Sequence, residues 1–162
     1  MPCFHPMPAV RLSDGSVTFT SRSKVDGNDF ELPCGQCAGC RLERSRQWAV
    51  RCVHESQMHE RNCFITLTYP DEFLPPHGGL IYRDFQLFMK RLRKRIGYPV
   101  RFFMCGEYGE LDQRPHFHAI LFGCDFDDRK YFSKTGSGYK LYTSDLLIQL
   151  WGMGHCPVGN VS

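Results

Sequence analysis

Long apolar runs are missing from this chain. No uninterrupted hydrophobic stretch reaches the length of a membrane span, and Met1 to Val10 lacks the apolar segment of a secretory signal. The sequence therefore reads as soluble and cytoplasmic. Low-complexity segments and internal repeats are absent too, which argues against solenoid and linker-type chains and leaves 162 residues as the size of one compact domain. A strong charge of one sign is lacking: a formal net charge of +3 is what many ordinary enzymes carry and does not by itself point to nucleic acid. A paired cysteine framework is lacking as well, because nine cysteines spread from Cys3 to Cys156 are odd in number and scattered, a pattern that fits a reducing compartment.

The charge that is present is unevenly placed. Arg41, Arg44, Arg46 and Arg51 fall in one segment, Lys90, Arg91, Arg93, Lys94 and Arg95 in another, and Asp125, Asp127 and Asp128 form a small acidic patch. Such runs are as often solvated helix faces as binding surfaces. Residues 1 to 39 are rich in Pro, Ser, Asp and Gly and read as an irregular arm with one short strand at Val17 to Thr20, ahead of a core spanning 40 to 162. Residues 40 to 59 contain no Gly or Pro and predict a helix. Cys63 to Tyr69 predicts a buried strand, and Phe85, Phe88, Met89, Leu92 and Ile96 recur at steps of three and four, predicting a helix over 82–96 that Gly97 and Pro99 end. Val100 to Cys105 and His116 to Phe122 read as a hairpin, Gly123 to Tyr142 as an exposed excursion, Asp145 to Trp151 as a short helix capped by Ser144, and Gly154 to Val161 as a last strand. The fold class is α+β, an antiparallel sheet flanked by helices.

Residues two apart in a strand project from one face, so His116 and His118 offer two imidazoles side by side while Phe117 points the other way. Two histidines rarely complete a metal site, and a hard or borderline divalent ion also takes oxygen. Glu107, at the end of the preceding strand, is the first choice for that oxygen and Glu110 in the turn the reserve. An isolated His-x-His more often lines a polar sheet face than binds an ion; the basic helix and the Cys105-Gly106-Glu107 strand end beside it shift that balance.

Phe64-Ile65-Thr66-Leu67-Thr68-Tyr69, then Cys105-Gly106-Glu107-Tyr108-Gly109-Glu110, then Arg114-Pro115-His116-Phe117-His118-Ala119-Ile120-Leu121-Phe122-Gly123 form an ordered set that resembles rolling-circle replication initiators with the HUH motif. Within that group it is most similar to the initiators of gokushovirus-like single-stranded DNA phages, a likeness the segment from Pro33 to Arg44 extends. The resemblance implies a sheet of about five antiparallel strands and Mg²⁺ or Mn²⁺ held by His116, His118 and Glu107. It implies single-stranded origin DNA and host replication proteins as partners, and a tyrosine that attacks the scissile phosphate to leave a 5′-phosphotyrosyl link and a free 3′-hydroxyl. Lys90, Arg91, Arg93, Lys94, Arg95 and Arg114 are the candidate DNA-backbone contacts, with Tyr108 or Tyr69 as stacking partners and Phe117 better suited to the core.

The same resemblance implies a Tyr-x-x-x-Lys pattern on a helix after the histidine strand. Tyr131, Tyr139 and Tyr142 are the weak candidates, and none has a lysine four residues on, so the expectation is a nucleophile beyond Ser162 and a chain truncated before it. Separately, Cys34, Cys37 and Cys40 have the spacing of thiolate ligands for Zn²⁺, with Cys3, His5, Cys52 and His54 as candidates for the fourth; an iron–sulfur cluster or three reduced core cysteines are the competing readings. Two other functions stand beside endonuclease: a zinc-organised nucleic-acid-binding module that cuts nothing, and a non-nucleolytic metalloenzyme.

Overall fold

A computed structural model describes residues 3–19, 27–110 and 112–161. The chain divides into two compact units, Met1–Val53 and His54–Ser162. The division falls inside a helix, where the sequence reading draws its boundary at Gly39.

In the first unit, β1 (Met7–Arg11), β2 (Val17–Thr18) and β3 (Asn28–Leu32) form an antiparallel sheet in the order β2-β1-β3. Five residue pairs join β1 to β3, from Met7↔Leu32 to Arg11↔Asn28. This corrects the reading of an irregular arm. The strands are short: in Asn28-Asp29-Phe30-Glu31-Leu32 the half-buried Phe30 and Leu32 alternate with exposed Asp29 and Glu31 over only two repeats, too few to stand out in a stretch rich in turn-forming residues. Of the expected strand at 17–20, Val17 and Thr18 form β2 and Thr20 lies outside the described residues. Helix α1 (Ala38–Gln57) follows, close to the expected bounds.

The second unit is an antiparallel sheet of six strands, in the order β5-β6-β4-β9-β8-β7, close to the expected count of about five. Its strands are β4 (Asn62–Thr68), β5 (Arg101–Tyr108), β6 (Pro115–Phe122), β7 (Lys130–Lys134), β8 (Lys140–Thr143) and β9 (Val158–Asn160). The hairpin β7–β8 occupies the segment read as an excursion. Its turn, Thr135-Gly136-Ser137-Gly138, gives the stretch a loop-like composition, and the strands on either side are short, β7 mostly exposed and β8 mostly half-buried.

One face of this sheet is covered. Strand residues Ile65, Leu67, Phe117, Ala119, Leu121 and Val158 pack against α2 (Tyr82–Ile96) and α3 (Asp145–Trp151), whose Phe85, Phe88, Met89, Leu92, Leu147 and Trp151 complete one apolar cluster. Trp151 stands at its centre, with Tyr69, Phe88 and Phe117 at centroid distances of 5.3–6.2 Å and its indole N–H donating to the Thr68 carbonyl at 2.7 Å. Arg91 of α2 donates to the carbonyls of Leu150 and Trp151, satisfying acceptors left over at the end of α3. At the other end Ser144 accepts from the Leu147 N–H and donates to Asp128, which also accepts from Leu146. Among the described residues no helix is long and apolar enough to cross a membrane.

Candidate metal centre

Register decides what meets what on the other face. In the β5–β6 ladder Glu107 lies opposite His116 and Cys105 opposite His118; in the β4–β6 ladder Thr66 lies opposite His118 and Thr68 opposite His116. Cross-strand partners share a face, so Cys105, Glu107, Thr66, Thr68, His116 and His118 project together, away from Phe117 and the helices. Gly106, between Cys105 and Glu107, faces the helices, and a Cβ there would stand 2.7 Å from Leu80 Cδ1, so a larger residue would require the Leu80 side chain to move.

Glu107 Oε2 lies 3.7 Å from His118 Nε2 and 4.0 Å from His116 Nε2. The three side chains form a group whose ligand atoms lie within 4.8 Å of one another, a spacing that one ion could bridge. Each ring's other nitrogen is engaged. His116 Nδ1 lies 3.1 Å from the Arg114 carbonyl, an acceptor only, so Nδ1 carries the proton and Nε2 keeps its lone pair. His118 Nδ1 lies 2.9 Å from Thr66 Oγ1, and its ring stacks on Phe64 at 5.2 Å. Burial holds His118 below its ordinary imidazole value; Glu107 pulls the other way and His116 adds to the depression. A neutral imidazole is what a metal requires. The Cys105 thiol donates to Glu107 Oε1 at 3.3 Å, and burial together with that carboxylate pushes it up to about 11, so it remains a thiol donor.

Two imidazoles with one half-exposed carboxylate suit a divalent ion that keeps positions open for outside oxygen ligands. The donor set thus fits a divalent cation. Glu110 is not in the group. Thr66, Phe64 and Cys105 stand in the motifs read from the sequence without a role of their own at the site; the signal for the first two is the alternation Phe64, Thr66, Thr68 on a strand neighbouring the histidines. Thr66→Val is expected to lower Mn²⁺ affinity about 10- to 100-fold by freeing the ring, with thermal stability little changed. Isothermal calorimetry showing wild-type affinity would mean that stacking on Phe64 suffices to orient His118.

Of the remaining candidates, Arg114 stands at the turn end of the hairpin, its guanidinium held by Asp71 and the Tyr69 carbonyl. Arg114 and the exposed Tyr108 line a cavity of about 420 Å³ with Leu74, His77, Asp112 and Gln113. Tyr69 is buried and donates to Asp84, and Phe117 is buried beneath the sheet. The run on α2 is not brought to the metal face: α2 packs on the Phe117 side, Arg91 serves α3, and Arg93 donates to the Val100 carbonyl and lies over Phe102. Lys90, Lys94 and Arg95 are exposed on that same helix.

The tyrosines are elsewhere. Tyr142 shares a cross-strand row with Val158, Ile65 and Ala119, all buried on the helix side, and β8 is three strands from β6, about 14 Å. Tyr131 pairs with Tyr142 one strand further out, and Tyr139 is exposed in the β7–β8 turn.

In the first unit, Cys3, Cys34, Cys37 and Cys40 form a second group with all ligand atoms within 4.8 Å. N–H groups of Phe4 and Cys40 hold the Cys37 thiol down, at about 6, while burial and the Cys3 thiol push Cys40 up to about 12. Cys3 is therefore the fourth member that the sequence left open. Cys52 lies twelve residues along α1 from Cys40, about 18 Å, and His5 and His54 are not in the group.

Residues 62–162 match the family model for replication-associated protein ORF2/G2P. Over its whole length the chain is 36% identical to the replication-associated protein VP4 of Bdellovibrio phage phiMH2K and 30% identical to the replication-associated protein ORF2 of Spiroplasma virus 4, covering 54% and 57% of those proteins. It is 32% identical over 88% of its length to the replication-associated protein ORF4 of Chlamydia phage 1, of which it covers 39%. The chain thus spans about half the length of the curated relatives it matches. No solved structure matches it.

Proposed function

The chain belongs to the replication-associated protein ORF2/G2P family, and from that premise we propose that it forms the metal-binding core of a replication-initiation endonuclease that nicks single-stranded origin DNA. The observation that carries the reading is the meeting of His116 Nε2, His118 Nε2 and a Glu107 oxygen within 4.8 Å on one sheet face. Both Nδ1 atoms are engaged elsewhere. His116, His118 and Glu107 would hold Mg²⁺ or Mn²⁺, and the chemistry such an ion would supply is Lewis-acid stabilisation of charge on the scissile phosphate. Arg114 holds the His116 tautomer through its carbonyl and Thr66 that of His118, so neither ring has to reorient when the ion arrives. Tyr108 alternates with Glu107 along β5 and its hydroxyl accepts from the Leu80 N–H, so it stands on the Gly106 side of the sheet and is not assigned a part at the phosphate.

The covalent step belongs to a tyrosine. Its phenolic oxygen bonds to phosphorus as the bond to the 3′-oxygen breaks, leaving a 5′-phosphotyrosyl link and a 3′-hydroxyl that primes synthesis. Tyr131, Tyr139 and Tyr142 are badly placed for this by face and by strand distance. We assign the step to a residue of a longer chain such as the relatives possess.

The test is a denaturing gel of a radiolabelled origin oligonucleotide incubated with Mg²⁺ or Mn²⁺. The expected result is a covalent band with protein extended to the relatives' length and none with residues 1–162. A band from residues 1–162 that Tyr131→Phe, Tyr139→Phe or Tyr142→Phe abolishes would refute the assignment. DNA binding without cleavage in the extended protein would favour the non-catalytic, zinc-organised module.

A further inference from the structure

The first unit has almost nothing apolar to hold it together: among its described residues, Ala9 and Val10 are the buried hydrophobic side chains. A three-stranded sheet of short strands and one helix cannot offset the loss of chain entropy with two small buried side chains and a few half-buried ones such as Phe30 and Leu32. What the unit does have is four sulfur atoms at one point. Cys3 Sγ lies 3.9 Å from Cys37 Sγ, and Cys34 Sγ lies 4.0 Å from Cys40 Sγ. Zn–S bonds of about 2.3 Å in a tetrahedron require sulfur pairs about 3.8 Å apart, while a disulfide requires about 2 Å.

The backbone is shaped around these sulfurs. The N–H of Cys34 donates to Cys3 Sγ at 3.3 Å, that of Cys37 to Cys34 Sγ at 3.4 Å and that of Phe4 to Cys37 Sγ at 3.4 Å. Gly35, with a φ of 74°, makes the left-handed turn that brings Cys34 and Cys37 together. The β1–β3 ladder runs to Met7↔Leu32, and Cys3 and Cys34 lie in the chain just beyond that end, while Cys40 lies in the first turn of α1.

We propose that Cys3, Cys34, Cys37 and Cys40 bind one Zn²⁺ as a structural four-thiolate site that takes the place of a hydrophobic core in the first unit, tying one end of the β1–β3 pair to the start of α1. The four thiols release their protons on binding, and four thiolates leave no open position on the ion, so the site performs no chemistry. Its soft donors also separate it from the imidazole and carboxylate set of the second unit, which favours harder ions.

The experiment is metal analysis of the full chain purified without chelator. The expected result is one zinc per chain, retained in a His116→Ala/His118→Ala variant and lost in Cys34→Ser/Cys37→Ser. Because the serine variant could misfold, two measurements use the unaltered protein. Exchange with Co²⁺ is expected to give the intense thiolate charge-transfer band of four sulfur ligands. Removal of zinc by a strong chelator is expected to open residues before Val53 to protease while the remainder resists. Zinc that leaves with the histidines, iron in the cysteine site, disulfides among the four cysteines, or thiols that alkylate in the native protein as fast as free cysteine would each overturn the proposal.

Discussion

Replacing His118 with alanine is expected to lower Mn²⁺ affinity, and metal-dependent nicking by a chain long enough to carry the nucleophile, by more than about 100-fold, since loss of an outer partner alone costs about 10- to 100-fold. The reason is ligand count. His118 Nε2 stands closer to Glu107 than His116 Nε2 does, and without it one imidazole and one carboxylate remain. Thr66 Oγ1 loses its partner, but the position is only part-buried, so the variant should fold. Affinity measured by Mn²⁺ paramagnetic resonance and nicking measured on a labelled oligonucleotide should fall together. Nicking within threefold of wild type would remove the ion from the reaction.

The largest effect on stability is expected from Phe117→Ala, a loss of about 3–5 kcal/mol. Phe117 is 2% exposed and packs against Tyr69, Phe85 and Trp151, so truncation leaves a cavity between sheet and helices that those rigid rings cannot fill. Since Phe117 lies between the two histidines in β6, the strand that loosens is the one that aims both rings, and metal affinity should fall as well. Urea unfolding gives the loss directly, with Phe132→Ala, at an exposed position, as a comparison expected to stay within about 0.5 kcal/mol. A loss for Phe117→Ala below about 1 kcal/mol would mean that the helices do not depend on this face of the sheet.

The features readable from sequence are those written as periodicity. Phe85, Phe88, Met89 and Leu92 gave α2 with its bounds, the alternation His116-Phe117-His118 gave both faces of β6, and Ser144 gave the cap of α3. Glu107 was legible because a hairpin turning near Asp112 must bring it across from His116. The features that escaped depend on partners far along the chain. Thr66 reaches His118 across 52 residues of sequence, and nothing in the composition of β4 marks a threonine that orients an imidazole. Strands β1, β3, β7 and β8 are stabilised by backbone pairing more than by burial, so their sequences resemble loops. The basic run after Lys90 reads as a DNA-binding track, but the apolar stripe of the same helix turns it to the side away from the histidines. Composition records charge; it does not record which face of a sheet a helix covers.

The central claim is that one divalent ion sits among His116, His118 and Glu107. Its most direct test is a crystal of the chain grown or soaked with Mn²⁺ and measured for anomalous scattering. The expected result is a single manganese peak about 2.0–2.3 Å from His116 Nε2, His118 Nε2 and a Glu107 oxygen, with Thr66 and the Arg114 carbonyl still on the two Nδ1 atoms. No peak there with Mn²⁺ bound elsewhere, or rings turned so that Nδ1 faces Glu107, would contradict it.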